Sequence, residues 1–507
     1  MLQTEDALKE ATQSYLPDKK PAKDETEKES ELTDEDKCPW CPADDNTYKE
    51  LWVACFHCHT WYHTECAKVQ DVERYARWCC DACQKLGYEH TMQGPRRVSK
   101  RERATTDYAA IQEGRPPDPL GRWEKYMEHC SSLKSCVRRV EGSIWTSDWL
   151  ANDPEALSAP TLVSSLTDEK GAATIQGMRV PPRSTSIRDI AQKVGMETQV
   201  EVIDVRTQMS SSSWTLEDWV DYFETPAAQR EKILNVISLE VTGTPMESMI
   251  CAPAMVREND WVERDWPTSK RPVCEDARKW PKVQRYVLMG VKGAFTDFHI
   301  DFAASSVYYH VVWGRKVFLF APPTPANLSA YRAWTCSSRQ EAEWLGDALH
   351  DLSRAEIQTG ETMLIPSGWI HAVHTPQDTL VVGGNFLTDY SIPMQWRLEE
   401  MEIATKVPRK FRFPHLMRLA WYVAYEWTQK LQKQSAPPAI LSNLPHLHRR
   451  LQRECENMLE VDAQGQKTLK ARRSSEAVPY DCIPDPNVLL ETLQSLLENT
   501  PRKRQRT

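Results

Sequence analysis

The chain has 507 residues, 40% of them hydrophobic and 27% charged, and its formal net charge is −9. This length predicts two or three domains with linkers. No apolar run approaches the length of a bilayer span, and the first residues lack a signal-peptide core, so we expect neither membrane contact nor secretion. The acidic balance argues against a broad, sequence-blind DNA-binding surface and is suited to a basic partner.

Composition and periodicity divide the chain into six predicted segments. The first is disordered because it is highly charged and poor in aromatic residues, and the fourth has short β-rich runs typical of an antiparallel barrel or jelly roll. The predicted segments are a disordered tail (1–36), a small zinc finger (37–86), a partly helical linker (87–182), a mainly β domain (183–405), a helical region (406–460) and a mostly disordered tail with a basic end (461–507).

Three elements near the start of the β domain are predicted individually. The stretches 201–205 and 235–241 are rich in branched apolar residues and predict strands. Between them, residues 213–225 predict a helix that is opened by a Ser or Thr cap and has acidic residues in its first turns.

Metal-ligand residues form four pairs near the N-terminal end, each with a two-residue gap. The pairs are Cys38 and Cys41, Cys55 and Cys58, His63 and Cys66, and Cys80 and Cys83. Four pairs supply two tetrahedral Zn(II) sites, and a domain this short needs metal to stabilise its fold. His57 and His59 are alternative ligands, and Cys79 is a spare thiol next to Cys80.

This stretch resembles a PHD finger, whose ligand order is four Cys, one His and three Cys. The resemblance implies interleaved pairs, with one zinc on Cys38, Cys41, His63 and Cys66 and the other on Cys55, Cys58, Cys80 and Cys83. Many PHD fingers hold a methylated lysine in an aromatic cage, because a quaternary ammonium is attracted to π faces. Trp52 and Trp61 match cage positions and Tyr48 is a looser candidate, the alternative being that both Trp pack the small core.

A second metal site is predicted from the motif TDFHIDF. His299 and Asp301 are two residues apart on a strand-like run, so we expect both side chains on one face. A non-haem Fe(II) that activates dioxygen requires two His and one carboxylate, and PSGWIHAV supplies His371 as the distant ligand. His310 and His374 are rivals for that position, and we interpret both as packing or surface residues.

A cosubstrate site accompanies this prediction. A 2-oxoglutarate molecule that chelates the iron leaves its far carboxylate in need of a cation and hydroxyl groups. Lys316, at the start of KVFLFAP, is the predicted cation, and Thr296 and Tyr309 are the predicted hydroxyl donors. The alternative is that Lys316 is an ordinary lysine at a strand edge.

The motifs TDFHIDF, SVYYHVVWGRKVFLFAPP, IPSGWIHAVHTPQDTLVVGGNFL and IPMQW closely resemble the Jumonji C domains of the histone demethylase group that includes the lysine-36 demethylases. The stretch NVISLE around Asn235 and the later KVPRKFRFP (406–414) also resemble that group. The resemblance implies a cupin-like double-stranded β-helix with flanking helices. It also implies the following ligand sets: His299, Asp301 and His371 for iron, and Thr296, Lys316, Asn235 and Tyr309 for 2-oxoglutarate. No other catalytic residue is assigned, because iron and cosubstrate carry the chemistry.

One loop departs from the Jumonji C pattern. Where the family usually has Asp-Phe-Gly-Gly-Thr, this chain has Ala303 and Ala304 between Phe302 and Ser305. Glycine allows backbone conformations that alanine resists, and if the methylated lysine passes close to this loop, the two alanines are expected to narrow its entry.

The resemblance implies a nuclear histone lysine demethylase that acts on the histone H3 tail or nucleosome, with mono- and dimethylated lysine-36 as the favoured target. Alternatives are a demethylase for lysine-9 or lysine-27, a catalytically silent methyl-histone reader, and a protein hydroxylase outside chromatin. The basic stretches 96–103 and 501–507 are interpreted as import signals or weak DNA contacts, or else as solvated charge runs.

Overall fold

The computed structural model describes two compact units, residues 4–117 and, with residues 1–3, residues 118–507. The described residues are 40, 52–58, 60–64, 66–69, 75–92, 121–164, 175–271, 280–337, 340, 343–433, 436–462 and 465–499. The predicted disordered segment 1–36, both basic stretches, Cys38, Cys41, Tyr48 and His59 lie outside them, as do the side chains of Trp52 and Trp61.

The described residues of the small unit form two short antiparallel ribbons and one helical turn. Its described elements are β1 (Trp52–Ala54) paired with β2 (Trp61–His63), β3 (Tyr75–Arg77) paired with β4 (Thr91–Met92), and α1 (Asp81–Lys85). Val53, Tyr62, Val69 and Trp78 are buried together with the cysteines. The few apolar side chains buried among the described residues supply little folding free energy, which is consistent with a fold that depends on metal.

Eleven strands of the described residues form the sheet of the large unit. They are β5 (Arg138–Glu141), β6 (Thr161–Ser164), β7 (Gln199–Asp204), β8 (Met209–Thr215), β9 (Leu234–Glu240), β10 (Tyr286–Gly290), β11 (Phe295–His299), β12 (Ser306–Ala321), β13 (Ser353–Gln358), β14 (Glu361–Ile365) and β15 (Ile370–Phe386). Their order is β5-β6-β14-β12-β15-β10-β9-β7-β8, with β11 on β15 and β13 on β12. The predicted jelly roll is confirmed.

The long strand β12 bends in its middle, and the bend lets it serve two parts of the sheet. Its first part pairs with β14 and its second with β13, while β15 follows it along nearly its whole length. The register against β15 shifts on both sides of Gly314, whose φ is +98°. A Cβ at this position would lie 2.6 Å from the carbonyl oxygen of Asp378. Glycine is therefore required at the bend.

The sheet begins earlier in the chain than the expected domain boundary at residue 183. Strands β5 and β6 come from the stretch predicted as a linker, and β6 pairs with β14. The predicted helix at 213–225 is shorter, because residues up to Thr215 belong to β8. Thr215 caps the helix Leu216–Glu224, and its hydroxyl accepts a hydrogen bond from the Asp218 amide.

Helices cover the sheet and continue beyond it. Those before the last strand are α2 (Gly121–His129), α3 (Ser147–Asn152), α4 (Ile187–Val194), α5 (Leu216–Glu224), α6 (Ala254–Asn259), α7 (Trp261–Asp265) and α8 (Pro325–Thr335). Those after it are α9 (Ile392–Ala404), α10 (Leu416–Leu431), α11 (Pro438–Met458), α12 (Leu469–Ala477) and α13 (Pro486–Asn499). Among the described helices, none combines the length and apolarity that crossing a bilayer requires.

The tail after residue 460, expected to be mostly disordered apart from one short helix predicted at residues 487–497, contains that helix as α13 and, as a correction, the further helix α12. Leu490 and Leu493 of α13 join the core around α10, and Ala471 of α12 is fully buried. The sequence of α12 resembles a solvated segment because most of its residues are polar. Among the described residues of this helix, only Ala471 and Ser474 are buried.

Candidate metal and cosubstrate site

Strand pairing brings the three predicted iron ligands together. His299 and His371 are partners in the antiparallel pairing of β11 with β15, and their ring centroids are 4.2 Å apart. The Nε2 atom of His371 lies 3.8 Å from Oδ2 of Asp301. Strand β11 ends at His299, so Asp301 lies beyond it, but its backbone is still extended (φ −61°, ψ 146°).

Hydrogen bonds orient each of these side chains. The Nδ1 atoms of His299 and His371 lie 2.8 and 3.1 Å from the carbonyl oxygens of Asp297 and Trp369. A carbonyl oxygen only accepts, so each Nδ1 donates and each Nε2 keeps a free lone pair. Burial lowers the pKa of His299 to about 3, which keeps its imidazole in the neutral form that binds metals.

Asp301 is held by a residue that sequence reasoning missed. Asn385 donates a hydrogen bond of 3.0 Å from Nδ2 to Oδ1 of Asp301, and another of 3.0 Å to the Ser305 hydroxyl. Asn385 belongs to GGNFL, which is part of a motif that resembles Jumonji C domains, and this motif was the sequence signal that could have identified it. Two imidazoles and an oriented carboxylate are a donor set that fits Fe(II).

At the other end of the site is a buried amine. Lys316 is only 3% exposed, and its Nζ lies 2.6 Å from the Thr375 hydroxyl. Burial alone lowers its pKa to about 7, because no carboxylate of the described residues lies close enough to oppose the effect. Glycine at 290 leaves space beside the amine, since a Cβ there would lie 2.6 Å from Nζ. A buried cation without a counter-ion fits a ligand carboxylate.

The predicted cosubstrate residues lie in the same cavity as the metal ligands. Asn235 donates from Nδ2 to the Thr296 hydroxyl over 3.3 Å, and the ring of Tyr309 packs edge-on against Phe318. One cavity of about 460 Å³ is lined by all seven predicted residues: Asn235, Thr296, His299, Asp301, Tyr309, Lys316 and His371. This volume is in the range of small-molecule sites.

The rival histidines lie outside this cavity. His310 is buried and its Nδ1 lies 2.9 Å from the Thr362 hydroxyl. His374 is on β15, three residues beyond His371, and therefore on the opposite face of the strand. Burial lowers the pKa of both imidazoles to about 4.

The loop after Asp301 contains two alanines in a left-handed backbone conformation. Ala303 and Ala304 have φ of +48° and +49°, and both are fully buried. For residues with a Cβ this conformation costs roughly 1–2 kcal/mol each. The loop is held by Glu402 of α9, which accepts a 2.7 Å hydrogen bond from the Ala303 amide, and by Ser367, which donates to the Ala304 carbonyl. Glu402 carried no sequence signal, because its partner is a distant backbone amide.

In the small unit, all four predicted ligands of one of the two zinc sites lie close together. The sulfur atoms of Cys55, Cys58, Cys80 and Cys83 all lie within 4.8 Å of one another, as a tetrahedral Zn(II) site requires. The ligand atoms of His299, Asp301 and His371 do not all lie within this 4.8 Å limit. Of the other predicted zinc set, the described pair is close, with Sγ of Cys66 3.8 Å from Nδ1 of His63.

Of the alternative zinc ligands, Cys79 and His57 lie within the described residues, and both contact other groups. The thiol of Cys79 lies 3.7 Å from the Glu89 carbonyl, which leaves Cys80 in the sulfur cluster as predicted. The ring of His57 stacks on Tyr88 at 3.6 Å. Strands β1 and β2 place the backbones of Trp52 and Trp61 in one ribbon, and their role in a cage stays a prediction.

A jelly roll that gathers a His-x-Asp pair and a distant His in one cavity, followed by a helical region, has the architecture of Jumonji C proteins. Residues 390–479 match the Jumonji helical domain family. The chain is 44% identical, over 92% of its length, to "JmjC domain-containing histone demethylation protein 1" of Mycosarcoma maydis, and the match covers 77% of that protein.

Two further relatives extend the comparison. A Yarrowia lipolytica protein with the same name is 39% identical over 76% of this chain and 75% of its own length. "Lysine-specific demethylase 2A" of Xenopus tropicalis is 42% identical over 55% of this chain but only 24% of its own length. The chain belongs to the JmjC domain-containing histone demethylation protein 1 family.

Proposed function

We propose that the chain is an Fe(II)- and 2-oxoglutarate-dependent histone lysine demethylase. The observation that carries the proposal is the cavity in which His299, His371 and Asp301 lie together with Lys316, a buried amine that has no carboxylate partner among the described residues. The names of the relatives, histone demethylation proteins and lysine-specific demethylases, support the same activity.

In this proposal His299, Asp301 and His371 hold Fe(II), and Lys316 binds the far carboxylate of 2-oxoglutarate. Thr296, Asn235 and Tyr309 complete the cosubstrate site. When bound, iron and 2-oxoglutarate supply the oxidation of a lysine N-methyl group by dioxygen, with formaldehyde, succinate and carbon dioxide as products.

The protein's own contribution is orientation and exclusion of water. The carbonyls of Asp297 and Trp369 fix the two imidazoles, and Asn385 fixes the carboxylate. Because His299 is already neutral at physiological pH, it binds metal without first losing a proton. Buried aromatic residues such as Phe318 line the cavity and keep bulk water from the reacting centre.

The favoured substrate is mono- or dimethylated lysine-36 of the histone H3 tail in a nucleosome, which places the protein in the nucleus. This choice is supported by the resemblance of the Jumonji motifs, including KVPRKFRFP after the barrel, to the lysine-36 demethylase group. Lysine-9 and lysine-27 are the alternative targets.

The small unit is proposed to be a PHD finger with two Zn(II) ions that recognises a methylated lysine through Tyr48, Trp52 and Trp61. The sulfur cluster of Cys55, Cys58, Cys80 and Cys83 supports one of these ions. Such a finger raises the local concentration of the catalytic domain near marked nucleosomes, which increases turnover without a new catalytic group.

Formaldehyde release from methylated H3 peptides tests the proposal. We expect release that requires both Fe(II) and 2-oxoglutarate, is fastest with the lysine-36 peptide and is abolished in His299→Ala. Faster turnover of a lysine-9 or lysine-27 peptide would reassign the target. Binding of methylated tails without any cosubstrate turnover would make the protein a silent reader.

A further inference from the structure

Glu201 is an acidic side chain in the lining of the catalytic cavity that the proposed chemistry leaves unused. Among the described residues, the acids that line this cavity are Glu201, Asp297 and Asp301. Asp301 belongs to the predicted iron ligands, and Asp297 is only 6% exposed and accepts a 2.7 Å hydrogen bond from the Phe298 amide. Neither metal binding nor cosubstrate binding accounts for Glu201, so a third component of the reaction is the remaining ligand for its carboxylate.

Strands β7 and β9 place Glu201 where the cavity opens toward solvent. Ile203 of β7 pairs with Asn235 of β9, and both side chains are at most 5% exposed. Glu201 lies two residues before Ile203, which puts it on the same side of β7 and about 7 Å away. Glu201 is half-buried and Ser238 of β9 is exposed, although both still line the cavity. Burial therefore decreases from the cosubstrate residue Asn235 toward Glu201, which places Glu201 on the path of an entering substrate.

The Glu201 carboxylate is oriented but not neutralised. The Ser210 hydroxyl on β8 donates a 2.7 Å hydrogen bond to its Oε1 atom. Within the described part of the chain, the Glu201 side chain forms no ion pair and no second hydrogen bond. A carboxylate can accept several hydrogen bonds, so the Oε2 atom remains able to accept one from a cationic donor.

A histone tail supplies such donors, because it is rich in Lys and Arg. We infer that Glu201 is a specificity-determining residue that binds a Lys or Arg flanking the methylated lysine of the substrate. An extended peptide advances only about 3.3 Å per residue, so a flanking side chain enters the same region as the methylated one. The inference rests on the proposed function, since a methylated basic peptide is what presents both side chains together.

Such a contact selects among peptides without adding a catalytic group. A charge pair at a half-exposed position contributes modestly to affinity, because water screens it. It is made equally before and during the reaction, so its loss raises KM and leaves kcat nearly unchanged.

The first test removes the charge from either side of the contact. Demethylation of methylated H3 peptides is compared for wild type, Glu201→Gln and a matched control, Glu141→Gln, which neutralises an exposed acid on β5 outside the described lining of the cavity. In the peptides, each Lys or Arg flanking the methylated lysine is replaced in turn by Gln. Glu201→Gln should raise KM for the unchanged peptide by roughly two- to fivefold. At one flanking position, the protein and peptide changes together should cost little more than either alone. Equal KM values for Glu201→Gln and the control with every peptide would refute the inference.

Charge reversal makes the test sharper. Glu201→Lys should raise KM for the basic peptide further than Glu201→Gln does, and a peptide with Glu at the identified position should recover much of that loss. A KM increase that is independent of the flanking residues would mean that Glu201 contacts the methylated lysine itself. A loss of 2-oxoglutarate affinity in calorimetry of Glu201→Gln would place Glu201 in the cosubstrate site. Either result would overturn the inference.

Failure of the proposed function would have a different signature. If wild type demethylates none of the methylated peptides, the proposed function is wrong. Fluorescence anisotropy of the same peptides, labelled and added to the Fe(II)-loaded protein, then decides the inference separately. Glu201→Lys should weaken binding of the basic peptide more than binding of its Gln-substituted form, and equal losses for the two peptides would rule the contact out.

Discussion

Binding of 2-oxoglutarate should weaken as the pH rises, because the cation that receives its carboxylate is a buried lysine. Burial lowers the pKa of Lys316 in the free protein to about 7, and a bound carboxylate raises that pKa again. Below pH 7 the amine is already charged and the affinity is constant. Above pH 7 the amine must take up a proton from solution when 2-oxoglutarate binds. The affinity therefore falls about tenfold per pH unit, which is a loss of about 1.4 kcal/mol of binding free energy.

The magnitude follows from the fraction of protonated amine. With a pKa of about 7, nearly all of the amine is charged at pH 6 but only about a tenth at pH 8, so the dissociation constant should be roughly tenfold larger at pH 8. Calorimetry of 2-oxoglutarate binding to the Fe(II)-loaded protein under nitrogen measures this without turnover. Repeating it in two buffers of different ionisation enthalpy counts the protons, and we expect an uptake close to one at pH 8.

Two variants complete this test. Lys316→Gln should bind 2-oxoglutarate weakly and with a flat pH profile, because glutamine carries no charge at any of these pH values. Lys232→Gln removes a lysine whose side chain is 69% exposed, and it should keep the wild-type profile. Equal affinity at pH 6 and pH 8, with no proton uptake, would show that Lys316 stays charged in the free protein and would refute the reasoning.

Three further predictions concern the loop, the finger and the bend. Glu402→Ala leaves the buried Ala303 amide without its acceptor, so it should lower the free energy of unfolding by about 1–3 kcal/mol and weaken Fe(II) binding. Glu402→Gln keeps an acceptor and should retain most of the stability and of the Fe(II) affinity. Equal denaturation midpoints and metal affinities in the two variants would contradict this role. Cys80→Ser should release zinc to a chromogenic chelator and Cys79→Ser should not, and the reverse order would show that Cys79 is the ligand. Gly314→Ala should destabilise by at least about 2 kcal/mol in chemical denaturation, because Ala is strained at positive φ and its Cβ meets a carbonyl; an unchanged midpoint would mean that β12 need not bend there.

Local spacing determined most of the ligand predictions. The two-residue gap to Cys83 predicts Cys80 rather than Cys79 as the ligand, and Cys80 lies in the sulfur cluster. Residues three apart face opposite sides of a strand, which favours His371 over His374, and of these two only His371 lines the cavity. Such choices depend on backbone geometry within a few residues, which the sequence expresses directly.

Contacts between distant segments were decided only by the tertiary structure. No local pattern in α9 marks Glu402 as the acceptor for the Ala303 amide, and nothing near Lys316 identifies Thr375 as its hydroxyl partner. Likewise β5 and β6 join the sheet through strand register, and the polar helix α12 is tied to α10 by a hydrogen bond from the Arg418 guanidinium to the Glu476 carbonyl. Periodicity and spacing act over a few residues, whereas these pairings depend on how the whole chain packs.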